Sequence, residues 1–121
     1  MRLLVTGSRE PSDPGYVRAA LLLVASFHHP NVTLVHGGAR GVDTLAGEVA
    51  NEKQWKVEPH PVTPEDFSLH GKRAYFLRNK KMVDLGADLC FAFPQGASPG
   101  TRMTIRLAEE AGIETRVFEL Q

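Results

Sequence analysis

The sequence predicts an α/β domain of Rossmann-like type, a three-layer sandwich in which a mostly parallel, five-stranded sheet has helices on both faces. Short apolar runs that end at glycine or proline alternate with longer segments whose apolar residues recur at helical spacing. The 121 residues fit one domain, which we place at 1–121. Ligands of such sheets bind beyond the carboxyl ends of the strands, where the glycine-rich segments of this chain fall.

The strands are predicted from apolar runs and from the residues that end them. The first run stops at Gly7, the second at Gly37-Gly38, and the most apolar one at Pro94. The third contains two prolines and predicts only a short or edge strand, because proline cannot donate to a sheet ladder. The predicted strands are 3–5, 32–36, 55–62, 87–93 and 114–120.

Four helices are predicted between these strands. The first is capped by Ser12 or Asp13, and the second follows the glycine-rich turn after the second strand. The other two span 72–85 and 101–111, and each is closed by a glycine. The stretch 63–71 predicts a loop with room for one helical turn.

The charge balance gives no support to general nucleic-acid binding. Lys and Arg number 14 together, as do Asp and Glu, so the formal net charge is zero. A strongly basic chain would favour nucleic acid as a partner, whereas this chain could offer only a local basic patch. Nucleic acid is therefore an alternative partner rather than the favoured one.

Cysteine usage and hydropathy favour a cytoplasmic protein. Cys90 is the single cysteine, so no intramolecular disulfide can form, and its apolar strand predicts a core residue rather than a nucleophile. Every apolar run is too short for a signal peptide or a membrane span. The histidines show no close metal-ligand spacing. We therefore expect no metal, no cofactor and no membrane partner.

The first candidate binding segment directly follows the first strand. Gly7 allows the backbone to approach a ligand closely, Ser8 offers a hydroxyl, and Arg9 offers a fork of donors suited to phosphate. The alternative is a tight turn with a solvated arginine.

The second segment follows the second strand and contains three glycines in five positions, namely Gly37, Gly38 and Gly41. They free the backbone for an anion-binding turn before a helix N-terminus. Arg40 could neutralise a phosphate, and Asp43 could cap the helix or accept from a ribose hydroxyl. The alternative for Asp43 is a stabiliser of the first helical turn. The spacing matches neither a P-loop nor the dinucleotide-binding glycine pattern.

The third segment follows the fourth strand and again enters a helix N-terminus. Ser98 and Thr101 supply hydroxyls there. The ligand-binding candidates in this segment are Pro94, Gly96, Ser98, Gly100 and Thr101. Two such segments at neighbouring strand ends indicate a ligand-binding site more specifically than either one alone.

The fourth candidate is the pair Arg78-Asn79. Arg78 shares a helical face with Tyr75 and Met82, which is unusual for a solvated arginine. It either turns inward to the site or covers apolar surface with its stem. His36 abuts Gly37 and is a weaker candidate for ligand contact.

These segments together resemble the SLOG superfamily, and within it the small YspA-like branch, over nearly the whole chain. The matching segments are 4–9, 36–43, 78–79 with Met82, 87–88, 93–94, 100–101 and 111–113. The resemblance implies a Rossmann-like sheet, a site for nucleotides or nucleotide-derived ligands, and a homodimer. The superfamily includes sensor domains of bacterial and phage conflict systems.

Two related families bear on mechanism. LOG phosphoribohydrolases carry a Pro-Gly-Gly-x-Gly-Thr segment followed closely by a catalytic glutamate, whereas here Thr101 precedes Arg102 and Met103. The nearest acid is Glu109, two helical turns further on. DprA proteins share a Gly-x-Ala-Arg-Gly-Ile/Val-Asp loop like residues 37–43 and bind single-stranded DNA, but this chain lacks their extra domains.

The leading hypothesis is a binding module that senses or sequesters a nucleotide-like small molecule and that is not an enzyme. The second hypothesis is a hydrolase of phosphoribohydrolase type, with Asp43 as the candidate catalytic residue. The third is a single-stranded nucleic-acid binder.

Overall fold

The computed structural model describes residues 1–28 and 30–121. Its strands are β1 (Arg2–Gly7), β2 (Thr33–His36), β3 (Lys56–Pro59), β4 (Leu89–Phe93) and β5 (Glu114–Val117). Its helices are α1 (Pro14–His28), α2 (Val42–Glu52), α3 (Pro64–His70), α4 (Arg73–Asp84) and α5 (Pro99–Glu110). The strands form one sheet in the order β3-β2-β1-β4-β5, and every neighbouring pair is parallel. The α/β Rossmann-like prediction is confirmed.

The strand order reverses beside the central strand. From β1 the chain adds β2 and then β3 on one side, and it afterwards places β4 and β5 on the other. Gly7 at the end of β1 pairs with Phe93 at the end of β4. Such a reversal leaves a crevice at the carboxyl ends of the two strands, so the fold itself selects this position for a site.

The core lies in two layers, because helices cover both faces of the sheet. On one face, a buried cluster joins Leu3 of β1 to Leu21 of α1 and to residues of α2. On the other face, a smaller cluster joins Leu4 to Met82 of α4 and Ala108 of α5. Adjacent side chains of β1 thus point to opposite helix layers, and both Leu3 and Leu4 are fully buried.

Residues 63–71 are more ordered than the sequence predicted, because a seven-residue helix, α3, occupies this stretch. Thr63 accepts a hydrogen bond from the backbone of Asp66, and Asp66 accepts one from the backbone of Thr63, which forms a reciprocal capping box. Pro64 adds a preset φ at the first helical position. These local signals outweigh the lack of buried apolar residues in α3.

Other boundaries differ by a few residues. Of the two candidate caps of α1, Asp13 is the one that accepts from the Tyr16 amide, at 3.0 Å. The last helix begins at Pro99, two residues earlier than predicted. The β3 segment is a four-residue edge strand, as its prolines predicted.

Cys90 is buried in β4, as predicted for a core residue. Burial raises the pKa of its thiol to about 12, so the thiolate is not available at neutral pH. Within residues 1–28 and 30–121, none of the helices has the length and hydropathy needed to cross a membrane.

Candidate ligand-binding cleft

A cleft of about 520 Å³, here called the main cleft, opens where β1 and β4 end. Three chain segments supply most of it: the turn after β1, the inner face of α4, and the start of α5. Its lining residues are Thr6, Gly7, Ser8, Arg9, Ala39, Asp43, Tyr75, Arg78, Asn79, Ser98, Pro99, Gly100, Thr101 and Met103. Residues far apart in the sequence therefore meet at the strand-order reversal.

The start of α5 presents backbone donors to the main cleft. The N-cap residue, Ser98, makes no side-chain bond to the helix, because its hydroxyl pairs with the backbone N–H and carbonyl of Gln95. In the part of the chain that the structure describes, the N–H groups of Gly100 and Thr101 have no acceptor. An uncapped helix N-terminus of this kind favours an anion. By contrast, α1 and α3 are capped by their own side chains.

Arg78 turns inward from α4. Its Nη1 donates to the carbonyls of Gly37 and His60, and its Nε donates to Oδ1 of Asn79 at 2.7 Å. Its Nη2 has no acceptor among the described residues and remains available to a ligand in the cleft. Burial lowers the pKa of this guanidinium while the nearby Asp43 raises it. An arginine stays protonated at neutral pH under such conditions.

Tyr75 lies one helical turn before Arg78 and contacts two arginines. The guanidinium carbon of Arg9 is 5.7 Å from the ring centre, and that of Arg78 is 5.9 Å away. Both distances fall in the cation–π range. Arg9 has no hydrogen bond or ion pair to any described residue, so the ring is its main support. The two positive groups are thereby held at one wall of the cleft.

The glycine-rich turn after β2 is closed by its own side chains. Oδ2 of Asp43 accepts from the N–H groups of Gly37 and Ala39, each at 3.1 Å. The Gly38 N–H donates to Nδ1 of His36 at 2.9 Å. Three donors that an anion-binding turn would offer to a ligand are therefore used within the protein. The sequence alone did not show that Asp43 would fold back onto this turn.

The glycines of these turns serve close packing. A Cβ on Gly7 would lie 2.6 Å from the side chain of Val42, and one on Gly37 would lie 2.4 Å from Arg78. Gly41 has φ +82°, and a Cβ there would lie 2.4 Å from the Ser8 carbonyl oxygen. The close approaches at Gly7 and Gly41 join the end of β1 and its turn to the start of α2, and that at Gly37 admits Arg78 of α4, so these glycines are explained without a ligand.

Asp43 is the most perturbed carboxylate of the site. Burial raises its pKa to about 6, against the opposing effects of the two backbone hydrogen bonds and of the charges on Arg78 and Arg9. The main cleft thus contains a carboxylate whose pKa lies near neutral pH, next to two arginine side chains.

The predicted site residues divide into three groups. Nine of them line the main cleft, namely Gly7, Ser8, Arg9, Asp43, Arg78, Asn79, Ser98, Gly100 and Thr101. Gly37, Gly38 and Arg40 line an adjoining depression instead. Gly41, Pro94 and Gly96 line neither of these two spaces. Pro94 is fully buried, and the Gly96 carbonyl accepts a hydrogen bond from Arg102.

Tyr75 is the main lining residue that sequence reasoning missed. The signal was its spacing of three residues from Arg78, which places both on one helical face. Met103, Pro99, Ala39 and Thr6 were also missed. Thr6 at the end of β1, Ala39 in the turn after β2 and Pro99 at the start of α5 adjoin predicted site residues in the sequence, whereas Met103 reaches the cleft through the packing of α5.

The fold and this cleft define a Rossmann-like domain whose candidate site lies at a strand-order reversal. The chain belongs to the SLOG family, because the model of the YspA, cpYpsA-related SLOG family matches residues 1–67. The matched part contains the turns after β1 and β2. A relative, the Gene 61 protein of Mycobacterium phage D29, is 45% identical over 118 residues, covering 93% of this chain and 91% of that protein.

A solved structure shares the fold at low sequence identity. DNA processing protein A from Helicobacter pylori, in a structure that concerns its single-stranded DNA binding mode, superposes with a TM-score of 0.65 at 18% identity. The match covers 97% of this chain but 64% of that one. The C-terminal domain of a hydrogenase from Pyrococcus furiosus gives a TM-score of 0.48 at 20% identity, over 96% of this chain and 89% of that domain.

Proposed function

We propose that this protein binds a nucleotide or nucleotide-derived ligand in the main cleft, as a sensing or sequestering module. One observation carries the proposal: the guanidinium groups of Arg9 and Arg78 both lie within 6 Å of the Tyr75 ring centre, at 5.7 and 5.9 Å, in the cleft that also contains the uncapped start of α5. Guanidinium groups and helix N-termini are the two groups that recur at phosphate sites. The aromatic ring adds a surface on which a base can stack.

The proposal assigns the phosphate to the N–H groups of Gly100 and Thr101, to the free Nη2 of Arg78 and to the guanidinium of Arg9. Ser8 and Ser98 add hydroxyls at the edges of the same cleft. Asn79, which is 5% exposed, accepts from Arg78 at its Oδ1, and its Nδ2 donates to the sulfur of Met103 at 3.8 Å, so a second Nδ2 hydrogen remains at the cleft wall. This arrangement supplies donors for phosphate and sugar together.

Binding can be measured by isothermal titration calorimetry with the four common nucleoside 5′-monophosphates. Arg9→Gln is the test variant, because Arg9 is exposed and its loss breaks no hydrogen bond within the described residues. A charge-assisted contact is worth roughly 1.5–3 kcal/mol, so affinity should fall about tenfold or more. Arg106→Gln, an exposed arginine on the outer side of α5, is the matched control.

A steric variant tests the same cleft independently. A Cβ built on Gly100 has no heavy atom within 4 Å, and Gly100 lines the main cleft. Gly100→Leu should therefore fill the cleft, abolish nucleotide binding and leave the fold intact by circular dichroism. If none of the four nucleotides binds the parent, or if Gly100→Leu binds as well as the parent does, the proposed site is wrong.

Single-stranded nucleic acid is the second candidate ligand. The fold shared with the H. pylori protein supports it, because the structure of that protein concerns single-stranded DNA binding. The local cluster of arginines supports it as well, since it gives a chain of zero net charge a basic patch.

We propose binding rather than turnover. Among the described residues that line the main cleft, Asp43 is the only carboxylate, and its Oδ2 is already bonded to two backbone N–H groups. Met103 lines the cleft close to Thr101 and cannot act as an acid. Incubation with nucleoside monophosphates should release no free base. Release at about 1 per second or faster, lost in Asp43→Asn with binding retained, would make the protein a hydrolase.

A further inference from the structure

A second depression, here called the side depression, adjoins the main cleft on the side of the turns after β2 and β3. Its volume is about 310 Å³, and it is bounded by the turn after β2 and by Pro61 and Val62. Ala39, Arg9, Tyr75 and Arg78 line both spaces. The main cleft and the side depression are therefore continuous around one aromatic ring.

The side depression is basic. Its described lining contains three arginines, Arg9, Arg40 and Arg78, and no carboxylate. Arg40 pairs with Glu10 at 2.9 Å, but the two side chains are 69% and 80% exposed. An ion pair that exposed contributes little and exchanges readily. Arg40 can thus leave Glu10 for an anionic group in the depression.

The donors line the two spaces separately. The backbone N–H groups of Gly100 and Thr101, which the structure leaves without acceptors in its described part, belong to the main cleft. The guanidinium of Arg40 lines only the side depression. Because these groups line different spaces, two phosphates on either side of one nucleoside match them better than one phosphate does.

We infer that the side depression binds a second phosphate of the same ligand, so that phosphodiester-linked nucleotides bind more tightly than mononucleotides. This inference rests on the proposed function of the main cleft. It specifies the ligand as a nucleoside that carries phosphate groups on both its 5′ and its 3′ side. Such chemistry occurs in a free dinucleotide and in a segment of a single strand.

The test compares affinities by calorimetry for nucleoside 5′-monophosphates, nucleoside 3′,5′-bisphosphates and 5′-phosphorylated dinucleotides. We expect the bisphosphates and dinucleotides to bind about tenfold more tightly than the matching monophosphate. Arg40→Gln should remove most of that advantage and change monophosphate affinity by less than about twofold, as the role of Arg40 outside the main cleft requires. Arg106→Gln is again the control and should preserve the advantage.

The possible failures are distinct. If monophosphates bind and the second phosphate adds nothing, or if Arg40→Gln weakens all probes equally, the inference is wrong and the proposed function stands. If no probe binds, both are wrong. A length series separates the two sources of the ligand. Affinity that levels off at two nucleotides indicates a free dinucleotide, and affinity that continues to rise through longer oligomers indicates a single strand.

Discussion

Asp43 connects the site to the stability of the protein. Its carboxylate is 6% exposed and bonds the turn after β2 through two backbone N–H groups. The hydrogen bonds favour the ionised form, but burial outweighs them and raises the pKa to about 6 from its ordinary value of 3.8. The protein thus contains a structural carboxylate that is costly to ionise.

This cost predicts a pH-dependent stability. Because the folded pKa of Asp43 lies above the unfolded one, the folded state binds the proton more tightly, and stability is lost as the pH rises from about 4 to about 6. The loss is roughly 3 kcal/mol, by the free energy that a pKa shift represents. Asp43→Asn keeps an oxygen acceptor and removes the charge. Urea titrations across pH 4–8 should show that, as the pH rises, the unfolding free energy of the variant increases by that amount relative to the parent.

The parent and the Asp43→Asn variant share all their other titrating groups, so the difference between their unfolding free energies reports on Asp43 alone. A difference in unfolding free energy that stays constant from pH 4 to pH 8 would show that Asp43 does not titrate in this range.

Gly41 is the N-cap of α2 and Gly47 lies inside the helix. We expect replacement by alanine to change the stability of the protein in opposite directions at these two positions. Gly41→Ala should destabilise the protein by at least about 2 kcal/mol, because φ is +82° and the Cβ would meet the Ser8 carbonyl. Gly47→Ala should stabilise it by about 0.5–1 kcal/mol, because Gly47 lies within α2 and its Cβ would meet nothing within 4 Å. Thermal and urea unfolding of the two variants measure both changes in unfolding free energy. Effects of the same sign would contradict this account of the turn.

At the scale of elements, α3 differs from the other helices because its described residues are all exposed. Its stability comes from the Thr63–Asp66 capping box, from Pro64, and from an edge contact of Phe67 with Tyr75, whose ring centres are 6.4 Å apart. A helix held mainly by local bonds opens without global unfolding.

We therefore expect Thr63→Ala to act locally. Loss of an N-cap costs about 0.5–2 kcal/mol, which should speed amide hydrogen exchange across residues 64–70 and leave the melting temperature nearly unchanged. Ser68→Ala, an exposed change inside α3 that removes no cap, is the control. If Thr63→Ala lowers the melting temperature as much as a core substitution does, α3 is part of the cooperative fold.

At the scale of the whole molecule, the reversal of strand order between β1 and β4 decides where the candidate site lies. The turns after β1 and β2 and the start of α5 come together there, because parallel strands end at one edge of the sheet. A local arginine cluster arises from the same packing, although the net charge of the chain is zero. The basic patch is thus a property of the fold and not of the composition.

A homodimer remains a prediction, which the resemblance to the SLOG superfamily supports. Light scattering of the purified protein should give twice the mass of one chain across a concentration series. A mass of one chain at all working concentrations would show that the protein is a monomer.

The sequence by itself determined the alternation of strands and helices, the candidate turns and the family. Apolar runs, glycine punctuation and the helical spacing of Tyr75 and Arg78 are local signals, so they can be read without coordinates. The capping box of α3 was also local and was overlooked.

Only the tertiary structure decided which candidates face one cleft. It placed Arg40 in the side depression, folded the Asp43 carboxylate onto Gly37 and Ala39, and set Gly41 against the turn after β1. A glycine required by a ligand and a glycine required by a neighbouring segment have the same sequence signature. The difference lies in which atoms occupy the space beside the missing side chain, and residues distant in the chain supply those atoms.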